Sequence, residues 1–306
     1  MKLLYPLAKR FIAGHDFESA KPVINKLMRD GFKISVDYLG ELSKTKKDCD
    51  KAYRQYIEII SYYSNKGIKI DLSIKPSQLG LMFDKKYCYR LMKNISFEAD
   101  HNDMTIRLDM EDCSLTQDTI DLCNYLKSHS NNVGMAVQTN LFRTWSDIHT
   151  LMSNNISLRI VKGAYKETIK VAYQDKEQIR NLFIRNIFRI ITDRCRSYYF
   201  LKDTDTPVSA IGTHDEEVLK KVIYNMNRFN VGKRDVDFEF LYGIRRDLST
   251  ELKDKKYTVR LYVPFGTQWL PYTLRRLKEY DNMKFVLTNV IRELWNGKQT
   301  NRFGTV

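Results

Sequence analysis

Paired cysteines, glycine-rich stretches and long apolar runs are all missing from this 306-residue chain. Five cysteines, an odd number without CxxC spacing, argue against a disulfide framework and imply reduced thiols in a reducing compartment. Six prolines and thirteen glycines exclude a collagenous or linker-like chain. No segment approaches the roughly 20 apolar residues of a membrane span, so no integral membrane segment is expected. Met1 to Arg10 lacks the long apolar segment and small-residue cleavage site of a signal peptide. GxGxxG, GxSxG and paired Cys/His patterns are absent, and His15, His101, His129, His149 and His214 show no ligand spacing, so no metal site is expected.

What is there is a globular composition, 43% hydrophobic and 29% charged, with a net charge of +14. The bases are mixed with acids. Lys44, Lys46 and Lys47 precede Asp48 and Asp50, and Lys253, Lys255 and Lys256 surround Asp254. Such runs read as solvated faces, with a weak pull toward an anionic partner.

Short β-branched runs alternate with amphipathic stretches. The runs are 32–38, 68–74, 104–110, 133–137, 157–161, 207–211, 236–241 and 258–263. Helical segments are expected at 51–64, 85–93, 117–128, 145–153, 177–199, 216–227, 245–252 and 269–280. Eight of each fit a (β/α)8 barrel better than a doubly wound sheet. Residues 1–30 are expected to form an N-terminal helical segment that caps the barrel bottom or packs beside it, with residues 31–306 forming the catalytic barrel.

Chemistry in such a barrel collects at the C-terminal strand ends. Six of those ends carry Lys75, Arg107-Leu108-Asp109, Gln138-Thr139-Asn140, Arg159-Ile160-Val161-Lys162-Gly163, Thr213-His214-Asp215 and Tyr262. Each has a plainer reading. Lys75 or Asp109 alone suits a surface charge or loop cap, and Asp215 suits a helix N-cap better than a catalyst. The last helix puts Tyr272, Arg275, Arg276 and Glu279 on one face, at i, i+3, i+4 and i+7. They form either Arg–Glu surface pairs or a clamp for a carboxylate, which guanidinium groups grip as planar forks.

The segments around Ser73-Ile74-Lys75, Leu108-Asp109-Met110-Glu111, Val137-Gln138-Thr139-Asn140-Leu141, Arg159 to Tyr165, Gly212 to Asp215, Phe238 to Gly243, and Tyr262 through Leu277 resemble, in order, the proline dehydrogenase family. That resemblance implies a distorted (β/α)8 TIM barrel with its last helix over the mouth. It implies FAD-dependent oxidation of L-proline to Δ1-pyrroline-5-carboxylate, without an appended aldehyde dehydrogenase. On that basis Asp109 and Arg159 are catalytic, with Lys75 paired to Asp109. Lys75, Arg275 and Arg276 hold the carboxylate, and Leu241, Tyr262 and Tyr272 wall the ring. Met110, Gln138, Arg159, Val161, Gly163, Thr213 and His214 hold FAD. A quinone-type acceptor, a cytoplasmic location and peripheral contact with the inner membrane face are further implications, and no nucleic-acid partner is expected. Phe142 and Phe265 stand where the family often has tyrosine.

Two other readings compete. A Schiff-base lyase through Lys75 or Lys162 leaves the Tyr/Arg/Arg helix idle. A basic binding protein for nucleic acid or acidic membrane explains the charge but not the polar mouth.

Overall fold

The computed structural model describes residues 8–196 and 208–279, with side chains through residue 276 in the last segment. The eight strands are β1 (Lys33–Tyr38), β2 (Asp71–Ile74), β3 (Thr105–Leu108), β4 (Val133–Gln138), β5 (Ser157–Val161), β6 (Ser209–Gly212), β7 (Val236–Leu241) and β8 (Val259–Phe265). They form one closed parallel barrel in sequence order, with β8 pairing back to β1. The helices are α1 (Phe17–Arg29), α2 (Lys46–Ser64), α3 (Lys85–His101), α4 (Thr116–Lys127), α5 (Thr144–Ser153), α6 (Lys176–Arg196), α7 (Glu216–Arg228), α8 (Arg246–Asp254) and α9 (Trp269–Glu279).

Every strand run of the sequence finds its strand, but several helix boundaries move. α2 starts at Lys46 because the Thr45 side chain accepts the Asp48 N–H, an N-cap that extends the helix five residues upstream of the expected start. α3 continues to His101 because Ile95, Ser96 and Ala99 keep its buried stripe going past Lys93. The expected ends at Tyr199, Pro207 and Tyr280 lie outside the described residues.

Strand parity explains both cores. Ile34 and Val36, Leu72 and Ile74, Leu158 and Ile160, and Val259, Leu261 and Val263 face outward and are buried in the core cluster. The alternate residues face the barrel axis, and most of them are polar. The lower layer holds Asp71, Arg107, Asp237 and Arg260. Arg260 pairs with Asp71 at 2.8 Å and with Asp237 at 2.6 Å. The upper layer, described below, lies toward the mouth.

α1 and α9 depart from simple alternation. α1, capped by Asp16, packs against β1 and β8, and Phe17 meets Phe265 with ring centroids 5.7 Å apart. This is the outer place an eighth barrel helix would take. Phe265 is fully buried there against Phe17 and Tyr38, a position with no use for a tyrosine hydroxyl. The chain before α1 runs along the mouth side. Ala13 N–H donates to Pro264 O at 2.8 Å, and Gly266 N–H to Gly14 O at 3.0 Å. Residues 8–29 therefore pack beside the barrel and along its upper rim, and do not cap its bottom. Gly243, at φ +83°, is required here: a Cβ would sit 1.8 Å from the Arg10 carbonyl oxygen. Phe11, Ile12, Leu39, Ile244 and Tyr272 form a small second core that seats α9 on this rim.

Candidate active site

The upper layer is an ionic cluster built from six strand ends. Lys75, just past β2, donates to Asp37 of β1 at 2.8 Å, to Asp109 beyond β3 at 3.3 Å and to the Tyr262 hydroxyl of β8 at 3.2 Å. Tyr262 donates to Asp109 at 2.7 Å. Arg159 of β5 donates to Glu239 of β7 and to Asp109, both at 2.7 Å, and to Ser35 and Ser73 at 3.0 and 2.8 Å. Its guanidinium also lies 5.2 Å from the Tyr262 ring centroid. All these side chains are nine-tenths or more buried.

Such a cluster survives only because each charge has opposite partners. Burial alone disfavours the Lys75 ammonium, but Asp37 and Asp109 overcome it and raise its pKa. Burial pushes Asp109 up, and Lys75 and Arg159 more than reverse this, holding it below the usual carboxylate range. Asp37, deeper and facing Asp109, is raised despite Lys75. Lys75 is thus a fixed cation and not a neutral amine nucleophile. Lys162 is engaged by Asp215 at 2.9 Å. The Schiff-base reading therefore loses both of its lysines. Asp215 is the N-cap of α7, accepting the Val218 N–H, as its plainer reading had it.

Above the cluster, α9 brings in the clamp candidates. Tyr272 and Arg276 are buried, and the Arg276 guanidinium lies 5.2 Å from the Tyr272 ring centroid. Leu241 packs into the same small core as Tyr272. Arg275 is half-exposed and pairs with Glu41 of the β1–α2 loop at 2.8 Å. The Glu279 side chain lies outside the described residues.

The remaining candidates form a shelf across the ends of β3 to β6. Met110 is buried at the end of β3. Gln138 is buried, donates to Glu111 O at 2.8 Å and accepts the Ala164 N–H at 3.0 Å. Val161 leads into Gly163, which at φ +120° lies so close to Asn140 that a Cβ would sit 2.2 Å from its Oδ1. That buried oxygen accepts no hydrogen bond among the described residues. Thr213 Oγ1 accepts the Asp215 N–H at 3.2 Å, and His214 Nε2 accepts the Leu241 N–H at 3.0 Å. An orphaned amide oxygen, exposed backbone at Gly163–Ala164, and the amide, hydroxyl, imidazole and Lys162 ammonium groups suit a flavin nucleotide: many hydrogen-bonding groups and a cation for its phosphates.

His214 makes a sharp pH prediction. Burial, then Arg276, Arg245 and Lys162, lower its pKa to about 3. The folded protein refuses a proton that the unfolded chain takes up near pH 6.5, so stability falls as pH drops from 6.5 toward 3. At pH 5 this costs on the order of 1–2 kcal/mol. Glu111, raised to about 7 by burial, acts in the opposite direction above pH 4.5. The effect is therefore read as the difference between wild type and His214→Asn in denaturant unfolding at pH 7 and pH 5. Equal acid sensitivity of the two proteins would refute it.

Sequence reasoning missed Asp37, Ser35 and Glu41, and gave no role to Ser73, Glu239 and Glu111, which lie inside the segments that carry the family resemblance. The first and seventh strand ends were the two not read for polar residues, and they hold Asp37 and Glu239. The period-two alternation Lys33, Ser35, Asp37 against Ile34, Val36 carries the signal.

Fold and site together define an enzyme barrel whose mouth pairs a buried ionic cluster with an arginine-bearing helix. The proline dehydrogenase profile matches residues 20–287. The chain is 29% identical over 287 residues to proline dehydrogenase 1 of Bacillus subtilis subsp. natto, covering 94% of this chain and 91% of that one. It is 31% identical over 295 residues to the proline dehydrogenase of Deinococcus radiodurans, with the same coverage. Among solved structures, proline utilization A from Bdellovibrio bacteriovorus, inactivated by N-propargylglycine, superposes with a TM-score of 0.83 at 20% identity. That likeness covers 97% of this chain but only 35% of the other, so the chain spans about a third of that longer protein.

This chain belongs to the proline dehydrogenase family. It is an enzyme that oxidises proline, the first step of proline catabolism, and its family implies a flavin cofactor. Among the described residues no helix is long and apolar enough to cross a membrane.

Proposed function

We propose that the protein oxidises L-proline to Δ1-pyrroline-5-carboxylate using noncovalently bound FAD held on the β3–β6 shelf. What supports this reading is that α9 is tied to the mouth that holds the Lys75–Asp109–Arg159–Tyr262 cluster, through Arg275 paired with Glu41 and Tyr272 packed with Leu241. Proline is a zwitterion with an apolar ring. Its carboxylate needs cations, for which Arg275, Arg276 and Lys75 serve, and its ring needs walls, for which Leu241, Tyr262 and Tyr272 serve. When bound, FAD would supply the hydride acceptor, with a quinone-type molecule as the final electron acceptor. Arg159, fixed by Glu239 and Asp109, holds a buried positive charge that would stabilise the negative charge a bound flavin gains on reduction. Asp109 fixes Lys75, Tyr262 and Arg159 in one arrangement, and Gln138, Val161, Gly163, Thr213, His214 and Met110 orient the cofactor. The purified protein is expected to show a flavin spectrum that bleaches anaerobically on adding L-proline. Colourless protein that FAD cannot reconstitute would sink the reading.

The quinone proposal has a surface to go with it. Leu42, Met82, Phe83, Phe142, Trp145, Ile169 and Leu274 are exposed, and all lie on segments at the mouth side. Lys44, Lys86, Lys166 and Lys170 are exposed beside them, and Arg185 and Arg189 flank Trp145 within 4.6 Å of its ring centroid. Apolar and aromatic tips among bases suit an anionic lipid surface. Co-sedimentation with phosphatidylglycerol vesicles is expected and should drop on Phe83→Ser with Trp145→Ser. Equal sedimentation with neutral phosphatidylcholine vesicles, or no effect of the double change, would refute it.

A further inference from the structure

We propose that Glu111 is a positioning residue for the proline carboxylate site: through Ser77 it fixes the β1–α2 loop that carries Glu41, and with it Arg275. The proposal rests on the reading that Arg275 binds the carboxylate.

Glu111 lies at the mouth end of β3 and is 3% exposed. One of its carboxylate oxygens accepts the Ser77 N–H at 2.9 Å, and the other accepts the Ser77 hydroxyl proton. Both donors of one residue thus converge on one carboxylate. With its proton committed to Glu111, the Ser77 oxygen has lone pairs left over, and it accepts the Leu42 N–H at 2.9 Å. The Ser77 carbonyl accepts the Ser43 N–H at 3.1 Å, and Ser43 Oγ donates to Gln78 O at 2.7 Å.

These bonds hold a loop that does not hold itself. Leu42 sits at φ +56°, in the left-handed region that a leucine disfavours, and its side chain is exposed. Its neighbour Glu41 ends the chain of contacts at Arg275 Nη1, 2.8 Å away. α9 overhangs the mouth, and Glu41 ties its half-exposed Arg275 to the barrel. A guanidinium fork serves a carboxylate only when its plane is fixed. The path from β3 to α9 therefore runs through named hydrogen bonds and the one peptide link between Leu42 and Glu41.

Glu111 must be charged to accept two donors at once. Facing it are Lys75 from the end of β2, Glu41 from the β1–α2 loop, Tyr165 from the β5–α6 loop and Cys88 from α3. Gln138 reaches only its backbone carbonyl. Burial raises the carboxyl to about 7, so the doubly accepting state gives way near neutral pH.

The test uses the flavin-loaded enzyme with Glu111→Gln and Ser77→Ala. Each is expected to raise KM for proline and Kd for cyclopentanecarboxylate about fivefold or more, with kcat within about twofold. In a Glu41→Ala background, Ser77→Ala should change neither, because the tether then delivers nothing to Arg275. Wild-type affinity for cyclopentanecarboxylate should weaken from pH 8 to pH 6, and Ser77→Ala should flatten that dependence. If Glu111→Gln does not fold, Ser77→Ala alone decides. KM within twofold of wild type, proportional loss of kcat, or full additivity with Glu41→Ala would each overturn the proposal. Arg275→Lys is run beside them. Its failure to raise KM would instead overturn the carboxylate reading beneath it.

Discussion

Arg159→Ala should lower the unfolding midpoint by on the order of 10 °C and strip most of the flavin from the purified protein. The guanidinium is 4% exposed and donates to two carboxylates and two hydroxyls. Removing it leaves the Glu239 carboxylate at the barrel axis without its cation. Among the described residues, one oxygen of that carboxylate already lacks a hydrogen bond. Breaking a buried pair from one side typically costs about 3–5 kcal/mol, because the remaining charge cannot return to water. In a chain of this size each kcal/mol moves the midpoint by roughly 2–4 °C. Arg159→Lys should lie between, since one ammonium cannot span Glu239 and Asp109 at once. Flavin loss comes from the same vacancy, which opens beneath the β3–β6 shelf. Thermal unfolding of cofactor-free protein isolates the first effect, and the flavin-to-protein absorbance ratio reads the second. A midpoint within about 2 °C of wild type would show that the cluster is not held by this residue.

The barrel was legible because its signal is local and repeated. Most strands alternate outward apolar residues with inward polar ones, β4 and β6 keeping small residues inside, and each helix restarts the 3.6-residue stripe. The strand-end residues were legible for the same reason: Lys75, Asp109, Arg159 and Tyr262 converge once eight strands are placed in order. What the sequence hid is pairing. Asp37 looks like one more charge in a β-branched run, and only the pairing of β1 with β2, which sets Asp37 in register with Ser73, reveals that it faces Lys75. Glu41 precedes a lysine-rich helix start, where an acid reads as solvated, and its partner lies 234 residues away. Glu111 carries no periodicity of its own, because its role is set by a 3₁₀ turn, Pro76–Leu79, folded over it. The bottom layer was equally hidden. Arg107 looked like a mouth residue, but it points to the same axis two residues before Asp109, one layer down, beside Asp71.

Arg275→Lys and Arg276→Lys should each raise KM for proline about tenfold or more while the flavin stays bound. Losing one charge-assisted hydrogen bond to a ligand costs on the order of 1.5–3 kcal/mol, which is at least an order of magnitude in affinity. The two arginines stand differently, and the substitution acts on each for its own reason. Arg276 is 9% exposed and stacked on Tyr272, so an ammonium loses both the planar fork and the ring contact. Arg275 is oriented by Glu41, and a lysine there can satisfy either the glutamate or the substrate with its point charge, but not both in one plane. The same face fixes ligand choice. Cyclopentanecarboxylate, which has the ring and the charge but no amine to oxidise, should compete with proline. Pyrrolidine, with ring and amine but no carboxylate, should be a poor substrate. If the arginines serve only as surface partners of nearby acids, both lysine variants keep near-normal kinetics and pyrrolidine turns over nearly as well as proline. The burial of Arg276 already argues against that outcome on one side of the clamp. On the other, Glu41 and a substrate carboxylate would meet the same guanidinium, so Glu41→Gln should change KM for proline and leave the pyrrolidine rate unmoved.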